Sequence, residues 1–172
     1  MKFFAACLLF FASAAFAKPF DVKPGSKVAW TAVGKPGFLK IVGEGGSVTG
    51  SGSDEAGTIS GDFKVDIAPF KTGMETRDEH MKKPEYLDAA GYKSASLKLK
   101  PMKYVDGKET DFEGDLTIKK DTAPVKGKAT IKGGVVTAKF TVDMSKYPSI
   151  AVPKYLNITV AKEVDVNVNF SY

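Results

Sequence analysis

VKGKATIKGGVVTAKFTVDM, residues 125–144, reads as a β-hairpin and sets the frame for the rest of the chain. Val125, Gly127, Ala129 and Ile131 alternate with Lys126, Lys128, Thr130 and Lys132. Beyond Gly133-Gly134, Val136, Ala138, Phe140, Val142 and Met144 alternate with Thr137, Lys139, Thr141 and Asp143. Successive strand side chains point to opposite faces, so this period gives each strand one apolar and one polar face. Adjacent glycines between two such runs supply the positive φ that a tight hairpin requires.

Working outward, the same period recurs at residues 59–67, 112–118 and 164–170. Residues 94–105 begin with Ala95, Leu97 and Leu99 on one phase, then shift phase near Pro101, which points to a bulge or an edge position. Residues 27–33 and 37–42 read as two further strands, and the glycine-rich run 43–52 as a loop. One segment, residues 75–83, reads as helix: it lacks Gly and Pro and stops at Pro84. The expectation is mainly β, a single domain of eight antiparallel strands with a short helical insertion between the third and fourth. Closing such a sheet into a barrel removes exposed edges, and a sandwich is the other solution. An eight-stranded barrel is either filled by side chains or holds one small ligand. Gly61, Ala95, Gly114, Gly127, Ala129 and Ala138 fall on inward positions, among Phe63, Phe112 and Phe140. Small inward residues leave volume for a ligand unless larger neighbours close over them. A transmembrane barrel is argued against by the many lysines on the polar phase and the absence of aromatic girdles.

Residues 1–17 have the make-up of a cleaved signal peptide: Lys2, an apolar run from Phe3 to Ala12, and a small-residue site ending at Ala17. The run is too short to span a bilayer core. The exported domain is therefore expected at residues 18–172, 155 residues (172 less 17), enough for one core without staples. It would lose Cys7, the chain's one cysteine, and with it any disulfide, thiol nucleophile or thiolate metal site. Removing Lys2 leaves 24 basic against 20 acidic residues, a net +4. The lysines are scattered, unlike the concentrated basic face of a nucleic-acid binder, so no nucleic-acid partner is expected.

Catalytic constellations are nearly absent. His80 is the single histidine, so a Ser-His-acid triad depends on it alone, and there is no nucleophile elbow, P-loop or paired-histidine zinc motif. Asp78, Glu79 and His80 are consecutive and cannot all face one ion from a helix. The reading is therefore not an enzyme, with no metal and no cofactor. The densest polar cluster is TGMETRDEHMKKPEYLD, residues 72–88. On a helix Arg77, His80 and Met81 share a face. Arg77 and Asp78 then either fasten the helix to the barrel end, or Arg77 and His80 meet the polar head of a ligand, for which the arginine fork suits phosphate.

The run T-G-x-x-x-R-D-x-H-M at residues 72–81 resembles the signature of the YceI family of bacterial envelope proteins. The resemblance continues around Trp30, through Tyr86-Leu87-Asp88 and Gly91-Tyr92, along GDLTIKKDTAPV (114–125), and into VPKYLNITVAKEVDVNVNF (152–170). It implies a lipocalin-like barrel with a helical insertion, enclosing an apolar tunnel for long-chain polyisoprenoid or similar amphiphilic lipids. On that basis Trp30, Phe63, Val65, Leu97, Leu99, Phe112, Leu116 and Phe140 are expected to bind the lipid tail, and Arg77 and His80 the head group. With the cleaved leader, the resemblance implies an exported carrier without a membrane span, expected in the periplasm with secretion left open; a homodimer is also left open. The alternatives are an envelope stress or interaction module with a filled core, and an enzyme acting on such a lipid through His80 or a carboxylate. Ser26-Lys27 and Gly34-Lys35-Pro36-Gly37 stand where the family commonly has histidines, which implies a different head-group preference. Lys119-Lys120-Asp121 replaces a glycine-containing turn.

Overall fold

The computed structural model describes residues 17–35, 39–152, 154–155 and 158–172; the expected leader, apart from Ala17, lies outside them. The polypeptide forms one antiparallel sheet of eleven strands. They are β1 (Lys18–Asp21), β2 (Lys27–Lys35), β3 (Lys40–Glu44), β4 (Val48–Glu55), β5 (Thr58–Asp66), β6 (Ser94–Lys103), β7 (Glu109–Ile118), β8 (Asp121–Lys132), β9 (Val135–Asp143), β10 (Lys154–Tyr155) and β11 (Ile158–Ser171). Among the described residues one α-helix, α1 (Glu75–Met81), lies between β5 and β6, two residues shorter than the sequence period implies.

The expected eight strands and continuous barrel need correction. The strand order is β1-β4-β5-β6-β7-β8-β9-β11-β2-β3, with β10 on β11, so β1 and β3 end the ladder and the sheet curls into an open barrel. Individual bonds cross the seam. Just past β1, Lys23 N–H donates to Ser171 O of β11 (2.8 Å). Ser26 Oγ accepts from Val48 N–H at 2.7 Å. β1, β4 and β10 escape the sequence pattern. In β4, Gly50 and Gly52 look like loop residues, yet a Cβ at Gly52 would collide with Ser60 O and the Phe20 ring. Glycine is there so that the backbone and β1 can approach closely.

The phase shift at Pro101 is a bulge inside the sheet, not an edge. Ile59 pairs with Met102 but Gly61 pairs with Leu99, so β6 carries an extra residue at this point. The shift turns Met102 inward, 7% exposed. Cross-strand Lys126–Glu113 and Lys128–Asp111 pairs sit in register on the outer face. Exposed pairs of this kind fix the pairing of strands more than they stabilise them.

Apolar inward residues form two clusters along the barrel, one around Ile59, Phe63, Phe112 and Ile131, the other around Leu116, Ile118, Val142 and Tyr147; Leu97, Phe140 and Val166 touch both. Tyr147, 1% exposed, ends the short 3-10 turn Met144–Lys146 and donates its hydroxyl to Leu116 O at 3.2 Å. Burial pushes its phenol up to about 12, so it is a fixed donor at neutral pH. Tyr147→Phe is expected to cost about 1 kcal/mol. In a chain of this size that lowers Tm by about 3 °C, measurable by calorimetry.

Candidate functional site

One end of the barrel is closed by side chains. Phe20 lies against Tyr172, ring centroids 4.0 Å apart, and Tyr104 and Tyr172 both donate hydroxyl hydrogen bonds to Asp54 Oδ2. The hydrogen bond to Asp54 raises Tyr104, and burial raises Tyr172, so both phenols stay protonated donors. At the other end lie α1 and residues 144–152, which cover the barrel without filling it. The insertion leaves and re-enters the sheet at one point, where Ile67 N–H donates to Lys93 O at 3.0 Å. Lys119, in a left-handed conformation (φ 54°), donates from Nζ to Pro84 O (2.7 Å) and Ser149 O (2.9 Å). Ala151 N–H donates to Glu85 O at 2.8 Å. The rim of the barrel and both halves of the cover are thereby tied together.

Between the plug and the cover runs a cavity of about 840 Å³. That is within the usual range for small-molecule sites, about 300–1,000 Å³. The structure brings all eight proposed tail residues to its wall: Trp30 from β2, Phe63 and Val65 from β5, Leu97 and Leu99 from β6, Phe112 and Leu116 from β7, Phe140 from β9. The inward small residues divide into two kinds. Ala95, Ala129 and Ala138 line the cavity. The glycines do not open it: a Cβ at Gly114 would meet Leu97 Cδ1 at 2.9 Å, and one at Gly127 would meet Phe112 Cε1 at 2.7 Å. Trp30 lies flat over Gly43, its cross-strand partner, and its Nε1–H has no hydrogen-bond partner among the described residues.

Polarity is confined almost wholly to the covered end. Apart from Ser96 and the heteroatoms of the Trp30 and Tyr86 rings, the polar residues of the wall are Thr76, Arg77, His80, Ser145 and Lys162. Arg77 has a structural task as well: Nε donates to Thr72 Oγ1 (2.7 Å) and Nη2 to Thr72 O (3.0 Å). Asp78 grips the same threonine, accepting from its N–H at 2.7 Å and from its hydroxyl. His80 is exposed at the mouth. Lys162 was not among the residues picked out from the sequence, although its phase gives it away. It precedes Val164, Val166, Val168 and Phe170 on the inward side of β11. Among the described residues no three His, Cys, Asp or Glu side chains gather where they could share a metal ion.

Three carboxylates hold the cover in place. The Thr72 hydroxyl and N–H lower Asp78, hydrogen bonding from Ser149 lowers Asp121, and the Ser145 hydroxyl and N–H lower Asp143. A carboxylate depressed on folding contributes stability above its unfolded value, near 3.8 here, and that contribution is lost as pH falls through the lower folded value. Lowering the pH from 7 to about 3 is expected to loosen the cover before the barrel. Hydrogen exchange corrected for intrinsic rates should show it as lost protection at Thr72, Ser145 and Ser149, with the β7–β8 amides still protected. Unchanged protection at those three amides would contradict it.

A curled antiparallel sheet around an apolar cavity closed at one end is a barrel of the ligand-enclosing size. The chain belongs to the YceI-like family, whose domain matches residues 20–172. Similar solved structures include BcnA of Burkholderia cenocepacia, 20% identical, with a TM-score of 0.66 over 86% of this chain and 96% of that one. A polyisoprenoid binding domain from Saccharophagus degradans, implicated in plant cell wall breakdown, is 12% identical, with a TM-score of 0.63 over 87% and 95%. A Campylobacter jejuni YCEI protein is 17% identical, with a TM-score of 0.52 over 74% and 83%. At these identities the likeness is one of fold. No curated protein sequence matches the chain. Among the described residues no helix is long and apolar enough to cross a membrane.

Proposed function

We propose that the protein is an exported, non-catalytic carrier that takes the chain of a long isoprenoid or similar amphiphilic lipid into its barrel. The observation that carries this reading is the one-ended cavity: about 840 Å³, apolar along its length, with charged groups only at the covered end. An apolar chain gains by leaving water for such a wall, while a polar head would be penalised anywhere but the mouth. Arg77 and His80 are the head-group contacts in this reading, joined by Lys162. The leader-like residues 1–17 support export to the periplasm, and the family and the polyisoprenoid binding domain support the ligand class.

Native mass spectrometry of protein purified from a bacterial periplasm, followed by organic extraction, tests the reading. A stoichiometric long-chain adduct is the expected result. An apo mass that does not change on adding polyprenyl lipids would sink the proposal.

A further inference from the structure

We propose that the open end of the cavity docks on an anionic lipid bilayer, so that the ligand passes between membrane and barrel without crossing water. The inference rests on the carrier reading above and adds the partner at that site. Among the described residues six large apolar side chains are exposed, and only Met74 (54%) and Val152 (48%) also line the cavity. They come from the two halves of the cover, Met74 at the start of α1 and Val152 after the 3-10 turn. Met74 is placed neither for the helix nor for the core. It occupies the N-cap position of α1, where Ser, Thr, Asp or Asn would satisfy a backbone donor, and it makes no side-chain cap. An exposed methionine and valine on the rim of an apolar cavity are side chains a membrane interface would cover.

Charge at the mouth selects the kind of bilayer. Arg77, His80 and Lys162 line the wall there, whereas Glu75, Glu79 and Glu163 of the same elements are exposed but not part of it. Asp78, Asp121 and Asp143 are turned to Thr72, Ser149 and Ser145. Cations therefore border the opening and carboxylates stand outside it or are engaged, which complements anionic lipid head groups. Long basic side chains can keep their heads at phosphate level while their stems lie along the apolar rim.

Flotation of the protein purified from a bacterial periplasm, expected to comprise residues 18–172, without added ligand, with vesicles of phosphatidylcholine alone and with vesicles that also contain phosphatidylglycerol tests this surface. Association is expected with the anionic vesicles only, falling as salt is raised. Lys162→Gln should weaken it about fivefold. Combined Met74→Ser and Val152→Ser should weaken it further, with melting curves confirming that both variants are folded. Equal flotation with both vesicle types, none with either, or a double variant that floats like the parent would overturn the docking surface. Native mass spectrometry reads ligand separately: a chain that floats with anionic vesicles but carries no lipid keeps the docking surface and overturns the carrier.

Discussion

Ala138→Trp is expected to abolish ligand uptake while the barrel stays folded. Ala138 lies opposite Ala129 on β8 and Val168 on β11, between Val136 and Phe140 on the inward phase of β9, and all five side chains line the cavity. A large ring projected from β9 at that level enters empty volume, so the overpacking that usually costs about 1–3 kcal/mol should fall at the low end. The chain of a ligand would then have no continuous path past that level. For the parent, a ligand at about one hundred times its Kd should stabilise by about 2.7 kcal/mol. That is a rise in Tm of about 8 °C for a chain of this size. In the variant the rise should vanish and the mass adduct disappear. A variant that still gains stability from lipid would mean that the ligand sits elsewhere.

Phe112→Ala should have the largest effect on stability. Phe112 is 3% exposed and meets Phe140 edge-on, ring centroids 5.8 Å apart and planes at 84°. Its ring also roofs Gly127, whose missing side chain makes room for it. Truncation removes a fully buried aromatic and its edge-to-face partner, a loss of about 3–4 kcal/mol. Denaturant unfolding should show a lower midpoint at unchanged slope, and Tm should fall by about 10 °C. The lost ring also widens the cavity, so wider ligands should be tolerated even as the fold weakens. A loss below about 1 kcal/mol would mean that the neighbouring wall collapses into the gap.

Alternation told which side chains point inward, and the structure brings the eight chosen wall residues to one cavity. It did not tell whether those side chains reach across the barrel. Gly114 and Gly127 look like open space in the sequence but are roofed by Leu97 and Phe112, while Ala129 and Ala138 leave their volume free. That difference depends on which strand lies beside which, and one strand's period carries no such information. β4 was hidden for the reverse reason, because Gly52 answers to Phe20 and Ser60, and Gly50 to the backbone at Asp62, all from other strands. Arg77 illustrates the limit at the mouth. Its helical neighbours were legible, but Thr72, which takes its Nε and Nη2, lies outside the helix and is reached only through the turn. Lys162 is the opposite case, a lysine on an apolar phase that the pattern already marked.

The single neck at Ile67 and Lys93 makes the covering insertion an exchangeable cassette. Residues 68–92 leave and rejoin the sheet across one hydrogen bond, and β5 and β6 resume their pairing at Asp66 and Ser94. A different segment of similar span can be grafted there without re-registering any strand, provided it recreates three joints. These are the two-bond bridge between Lys71 and Glu44 of β3, a carbonyl for Lys119 at the Pro84 position and one for Ala151 at the Glu85 position. Selectivity at the mouth can therefore diverge while the chain-holding wall is kept.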